Sequence, residues 1–120
     1  MRTTLRIRQE TLMTVEVVAQ ADTHYSSSID FGRCNGNASL FVISTAGTIT
    51  VTQQCSLDDV TWCDPISPAG TALGTLCTAK AVTTGSLISY SPVFTPYIRF
   101  KVVETDTAAT VVTLKLIFQV

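Results

Sequence analysis

The chain reads as all-β: an antiparallel β-sandwich, jelly-roll-like, of about 7–8 strands, with an extended N-terminal arm or strand over residues 1–10 and one sandwich domain over residues 11–120. Three observations predict this. Thr, Val and Ile supply 20, 13 and 8 of the 120 residues, and β-branched side chains suit a pleated, half-buried surface. Apolar and polar residues alternate with period two in several segments. Turn-forming residues interrupt those segments at short intervals, with no βαβ spacing and no long repeat.

The elements follow in chain order. Thr3 to Arg8 alternates, with Leu5 and Ile7 on one side and Arg6 and Arg8 on the other, as a short strand or extended arm does. Met13, Val15, Val17 and Ala19 share one strand face, with Thr14, Glu16 and Val18 opposite. A helical reading of this stretch would bury Glu16. Glu10 and Glu16 also break the apolar run that a secretory leader requires, so the segment is read as folded structure. Asp22 to Ser28 is polar and reads as a loop, and Ser28 to Cys34 as a strand. Asn35-Gly36 carries the residues of a type I′ hairpin turn. Ser39 to Thr45 reads as a strand, Ala46-Gly47 as a second hairpin turn, and Thr48 to Cys55 as its return strand. In that strand Ile49, Val51, Gln53 and Cys55 alternate with Thr48, Thr50, Thr52 and Gln54.

Ser56 to Gly74, with Asp58-Asp59, Trp62, Pro65, Pro68 and Gly70, reads as a long excursion. Cys77 to Val82 fits a strand or a short helical turn. Ser86 to Tyr90 is a strand. After Pro96, Tyr97 to Glu104 forms another with Ile98, Phe100 and Val102 inward. Asp106-Thr107-Ala108 turns the chain into a last strand, Thr110 to Val120, whose inward row is Val112, Leu114, Leu116, Phe118 and Val120.

Composition excludes several functional classes. Eight basic and nine acidic residues leave a net charge of −1, and charged residues make up only 14% of the chain. A nucleic-acid binder driven by bulk charge is therefore not expected. Disordered chains, coiled coils and helical bundles are excluded by the pattern. No run of about 20 apolar residues exists to cross a membrane as a helix.

Charge is uneven along the chain. Residues 1–8 hold three Arg and no acid, while the remainder is mildly acidic. Arg2, Leu5, Arg6, Ile7 and Arg8 are the candidate anchoring arm for an acidic protein surface; the alternative is an edge strand whose Arg residues deter sheet pairing. Val111 and Ile117, and likewise Tyr97 and Val103, sit opposite the core rows of their strands. Outer faces of Thr, Ser, Ala and scattered apolar residues fit a subunit covered by neighbours.

Candidate chemistry is sparse. Cys34, Cys55, Cys63 and Cys77 show no Cys-x-x-Cys spacing. They read as reduced buried cysteines or as disulfides of unassigned pairing, rather than as a zinc site. The single histidine, His24, has no Gly-x-Ser-x-Gly partner and reads as a surface residue. Asp58, Asp59 and Asp64 surround Trp62. Their spacing does not match the twelve-residue calcium loop, so they read as turn residues. Trp62 itself reads as an aromatic plug over the open end of the sandwich, or as a contact residue for a sugar. No catalytic residue, metal or cofactor is assigned.

One stretch carries a resemblance. Ser44-Thr45-Ala46-Gly47-Thr48-Ile49-Thr50-Val51-Thr52-Gln53-Gln54-Cys55-Ser56-Leu57-Asp58-Asp59-Val60-Thr61-Trp62 resembles an element of small virion proteins of tailed bacteriophages, in which a Thr-rich strand runs into Ser-x-Asp-Gly-x-x-Trp. Asp59 stands where that pattern has Gly. Pro96-Tyr97-Ile98-Arg99-Phe100-Lys101-Val102 is similar to the Pro-Tyr-x-Arg-Phe-x-Val strand that follows it there. The resemblance spans about the last two thirds of the chain, and its motifs are structural. It implies a capsid decoration or cement protein, made in the host cytoplasm and placed on the virion capsid surface, without catalysis. The implied partners are the major capsid protein and further copies of itself, a homotrimer being favoured, with neither nucleic acid nor membrane. A tail or head-completion protein is the alternative within that resemblance. A carbohydrate-binding module built on Trp62 is the alternative outside it.

Overall fold

The computed structural model describes residues 7–17, 23–31, 37–93, 95–105 and 110–119. Among these residues all regular structure is β: β1 (Ile7–Val17), β2 (Thr23–Tyr25), β3 (Ile29–Asp30), β4 (Ala38–Ser44), β5 (Ile49–Ser56), β6 (Thr75–Lys80), β7 (Ser86–Tyr90), β8 (Tyr97–Glu104) and β9 (Thr110–Gln119). They form two antiparallel sheets, ordered β1-β9-β4-β7 and β2-β8-β5-β6, with β3 also on β8.

β2 and β3 follow one another along a single edge of β8, opposite Val103–Lys101 and Ile98–Tyr97. Ser26 bridges the break. Its amide donates to the Phe100 carbonyl at 2.8 Å and its hydroxyl accepts from the Phe100 amide at 2.9 Å. The hydroxyl thus stands in for a ladder carbonyl. Counted as one interrupted strand, β2 and β3 complete an eight-stranded sandwich in which only the β5–β6 connection stays within a sheet. Every other connection crosses between layers, which is the winding of a jelly roll.

The core lies between the sheets and follows the period-two rows. Leu40 and Val42 of β4, Ile49 and Val51 of β5, Ile98, Phe100 and Val102 of β8, and Val112, Leu114 and Leu116 of β9 are fully buried. Each such side chain contributes about 1.5–3 kcal/mol by leaving water. Phe31 and Phe118 meet across the layers, their ring centroids 6.0 Å apart and tilted by 55°.

Two expected hairpins are not hairpins. Ala46-Gly47 joins β4 to β5, which lie in opposite sheets, so the chain arches over the end of the sandwich with Gly47 at φ 70°. Polar threonines tie this arch down: the Ala46 amide donates to Thr110 Oγ1 at 3.1 Å, and the Thr48 and Thr105 hydroxyls lie 2.8 Å apart. Asn35-Gly36 falls outside the described residues, but β3 and β4 on either side also lie in different sheets. At Gly47 the chain does reverse, but the returning strand β5 enters the opposite layer. The polar segment 22–28, read as a loop, contains β2, because β8 offers an unpaired edge that a half-exposed Thr-His-Tyr run can fill. The segment beginning near Cys77 is a strand, Thr75–Lys80.

Residues 7–10 of the expected arm are the first part of β1, hydrogen-bonded in register with β9. Leu12 is a bulge between Thr11 and Met13. Before it, Ile7 stands opposite Gln119; after it, Met13 and Val15 stand opposite Leu114 and Val112. The extra residue shifts the pairing frame along β9 by one.

Phe100→Ala is expected to lower stability by about 3–5 kcal/mol in urea denaturation, and Leu87→Ala, on the outer side of β7, by less than about 0.5 kcal/mol.

Candidate functional site

The outer side of the β2-β8-β5-β6 sheet carries the most organised polar arrangement. It starts at the end of β5, where Ser56 opens a tight turn. The Ser56 hydroxyl donates to Asp58 Oδ1 at 3.0 Å and accepts from the Asp59 amide at 2.9 Å. Asp58 Oδ1 then accepts from the Val60 and Thr61 amides at 3.0 and 2.8 Å. These hydrogen bonds, the backbone ones first, hold the Asp58 carboxyl below the usual carboxylate range. Asp59 takes the left-handed conformation, φ 63°, that the resembling pattern reserves for Gly. Asp is among the few side chains that visit this region, so the turn keeps its form without glycine.

That turn delivers Trp62 onto β8. The Arg99 guanidinium lies 4.5 Å from the centre of the Trp62 ring and 4.0 Å from that of Tyr25. Arg99 Nε donates to Gln54 Oε1 at 2.9 Å, and Gln54 Nε2 donates to Asp64 Oδ1 at 3.0 Å. The result is an aromatic–cation–aromatic stack backed by an amide and a carboxylate. Trp62 is therefore not a plug over the sandwich end: it packs half-buried on an outer face, because Arg99 points out of β8 while Ile98 and Phe100 point in. The two motifs that carried the resemblance meet here, one supplying Trp62 and the other Arg99. Spacing alone could not bring residues 62 and 99 together.

Beyond the turn the excursion folds back on itself. Cys63 pairs with Cys55, Ile66 pairs with Ala72, and the Leu73 amide donates to the Pro65 carbonyl at 2.9 Å. An open groove of about 650 Å³ runs beside it, lined by Ser56, Leu57, Cys63, Pro65, Ile66 and Val93. Leu57, Val60, Ile66 and Leu73 are exposed around this loop, Leu57 by 82%. Gly74 closes its base; a side chain there would run into the Gln53 carbonyl and crowd Pro65.

A second surface lies on the outer side of the other sheet. Phe41, Leu87, Lys115 and Ile117 line a shallow hollow of about 470 Å³, and Val111 is exposed further along β9. The register puts Phe41 opposite Leu87 on one side and Lys115 on the other.

Of the candidate anchoring residues, Arg2, Leu5 and Arg6 lie outside the described residues; Ile7 and Arg8 stand in β1 opposite Gln119 and Phe118. Cys34 also lies outside them. Cys55, Cys63 and Cys77 are free thiols. Burial pushes the Cys55 and Cys77 thiols up, which leaves them protonated at neutral pH. His24 stands in β2 opposite Val102 rather than in a loop. Asp58 and Asp64 spend their carboxylates on the turn and on Gln54, and no metal-holding group of three His, Cys, Asp or Glu occurs among the described residues. No helix of the described residues is long and apolar enough to cross a membrane. Sequence reading missed the Tyr25–Arg99–Trp62 stack; its available signal was a pair of cations, Arg99 and Lys101, on the outward parity of a strand whose inward row holds Ile98, Phe100 and Val102.

No protein-family model matches the chain, and no curated protein matches it. Among solved structures it is similar to a chain of infectious bursal disease virus, Gx strain, at 11% identity and TM-score 0.45, covering 98% of this chain but only 32% of the viral one. It is similar to a Bacillus endospore appendage protein of disulfide-linked pili, at 18% identity and TM-score 0.47, covering 96% and 88% of the two chains. A family 6 carbohydrate-binding module is matched at 18% identity and TM-score 0.43, covering 98% and 86%. At these values the chain is tied to none of the three.

Arg99→Ala is expected to cost about 1–3 kcal/mol, from the lost stacking and the hydrogen bond to Gln54, and to shift the emission of Trp62, the sole tryptophan. The folded state holds Asp58 below its unfolded value, so its contribution is complete above the ordinary carboxylate range. It is lost as pH falls through the lowered value. Trp62 emission followed from neutral to strongly acid pH is expected to change in that window, and the change should vanish in Asp58→Ala.

Proposed function

We propose that this chain is a structural, binding β-sandwich without covalent chemistry of its own, and specifically a virion protein that decorates or cements a bacteriophage capsid. The single observation that carries the reading is the outer face of the β1-β9-β4-β7 sheet. There half-buried Phe41 and Ile117 and exposed Leu87 line a shallow hollow with Lys115, and Val111 is exposed nearby, in a chain with only 14% charged residues. A free-standing domain covers such a face with mixed charge, whereas exposed apolar patches mark contact surfaces. The virion assignment itself draws on the resemblance of the Thr-rich strand, the Ser56–Trp62 turn and the Pro96–Val102 strand.

In this reading the outer face seats against neighbouring copies, with a trimer favoured. Arg2, Arg6 and Arg8 anchor the N-terminal segment on acidic surface of the major capsid protein. A protein that binds only the assembled shell stabilises it by mass action, and a lasting contact of this kind covers about 1,200–2,000 Å². The carbohydrate reading is less well supported: the space between the Trp62 and Tyr25 rings is filled by Arg99, and Asp58 and Asp64 are engaged within the protein.

Sedimentation and light scattering of the purified chain, alone and mixed with phage capsids, test this. The expected result is an oligomer or co-sedimentation with the shells. Leu87→Asp is expected to weaken either by at least about tenfold, since a buried unpaired charge costs more than 1.4 kcal/mol, with an unchanged circular dichroism spectrum. A 12.9 kDa monomer at every concentration, with no affinity for shells, would overturn the proposal.

A further inference from the structure

We infer that Cys55 and Cys63 are a disulfide-forming pair that locks the Ser56–Trp62 turn onto the sandwich. The two residues face each other across an antiparallel bridge and exchange both backbone hydrogen bonds, each at 2.9 Å. Directly opposed residues of this kind have Cα atoms about 5.5 Å apart, inside the range of about 4.4–6.8 Å that a disulfide spans; the Cβ atoms of such a hydrogen-bonded pair stand about 5.5 Å apart, so closure must draw them together by about 1 Å. Both residues line the same groove; the Cys63 thiol donates to the Cys55 carbonyl oxygen at 3.5 Å, and Cys55 Sγ accepts from Gln53 Nε2 at 3.6 Å. Cys55 is buried at the groove floor and Cys63 is exposed at its rim, so an oxidant in solution meets Cys63 first.

The geometry also excludes the competing partner among the described residues. Cys77 pairs with Val51, four residues up β5 from Cys55. That is about 13 Å along a strand, beyond the reach of a disulfide without backbone movement. The Cys77 thiol is turned toward the Ile49 carbonyl, at 3.7 Å, further still from the groove.

The chemistry is thiol–disulfide exchange with a small disulfide such as oxidised glutathione. The Cys63 thiolate attacks one sulfur of the oxidant and forms a mixed disulfide, releasing one glutathione thiolate. Cys55 gives its proton to solvent and attacks the Cys63 sulfur, expelling the second glutathione. Two protein thiols are oxidised, one small disulfide is reduced, and the ring closed contains the whole Asp58 turn. The reducing interior of a cell keeps the pair open; an oxidising exterior closes it.

The test is oxidation of the purified full chain with oxidised glutathione, alkylation of remaining thiols, and peptide mass spectrometry. Cleavage before Asp58, Asp59 and Asp64 frees Cys63 on its own short peptide, and cleavage after Phe41 parts Cys34 from Cys55. The expected result is one dominant cross-link, Cys55 to Cys63, with Cys34 and Cys77 alkylated. A rise in Tm of about 5–10 °C is expected on oxidation, as for closure of a short loop. Cys63→Ser should abolish both effects, and Cys77→Ser should leave both in place. A dominant link to Cys34 or Cys77, a link between chains on a non-reducing gel, or four alkylated thiols after equilibration would each overturn the pairing.

Discussion

Burial of Ile98, Phe100 and Val102 on one side of β8 and display of Arg99 and Lys101 on the other form one constraint, and much of the molecule depends on it. A strand alternates with period two, so a slip of one residue would send two cations into the core and three large apolar side chains into water. β5 is held in the same frame, with Ile49 and Val51 inward and Gln54 outward beside Arg99. The energy that fixes this register is hydrophobic, yet its product is polar. It aims Arg99 at the place where Trp62 and Tyr25 can close over it.

The Ser56–Trp62 turn is the other half of that arrangement. Its hydrogen bonds are local, made by Ser56 and Asp58 to amides within five residues. It therefore holds its form by local hydrogen bonds, while Leu57 and Val60 within it stay exposed rather than packed into the core. Asp59 shows what the turn demands: a left-handed backbone, met by one of the few non-glycine residues suited to it. A motif recognised as a string of letters is, in space, a cap that carries an aromatic ring to a waiting guanidinium.

Much of the fold was legible in the sequence because strand alternation is a direct image of burial. The spans of β7, β8 and β9 and the inward rows Ile98–Val102 and Val112–Phe118 follow from it. What escaped depended on the third dimension. Gly47 reads the same whether the chain returns to its own sheet or crosses to the other. Thr23–Tyr25 is too polar and too short to announce a strand, and it is one only because the β8 edge lies alongside. Cys63 lies eight residues after Cys55 with no periodic signal, and only the folded excursion sets the two face to face. At the site, Trp62 stands out in the sequence as a plug or a contact residue, but its place on an outer face is not legible there, since its partner Arg99 is distant along the chain and on the side of β8 that alternation alone leaves without a role.

β6 has a further meaning for how such a molecule joins others. Its pairing with β5 shifts register twice within a few residues, Ala79 takes φ 46°, and Lys80 closes the strand. A foreign segment seeking to extend this sheet would find donors and acceptors out of step. Strand addition is thereby disfavoured along that border, which leaves the sheet closed to edge-to-edge extension on the β6 side.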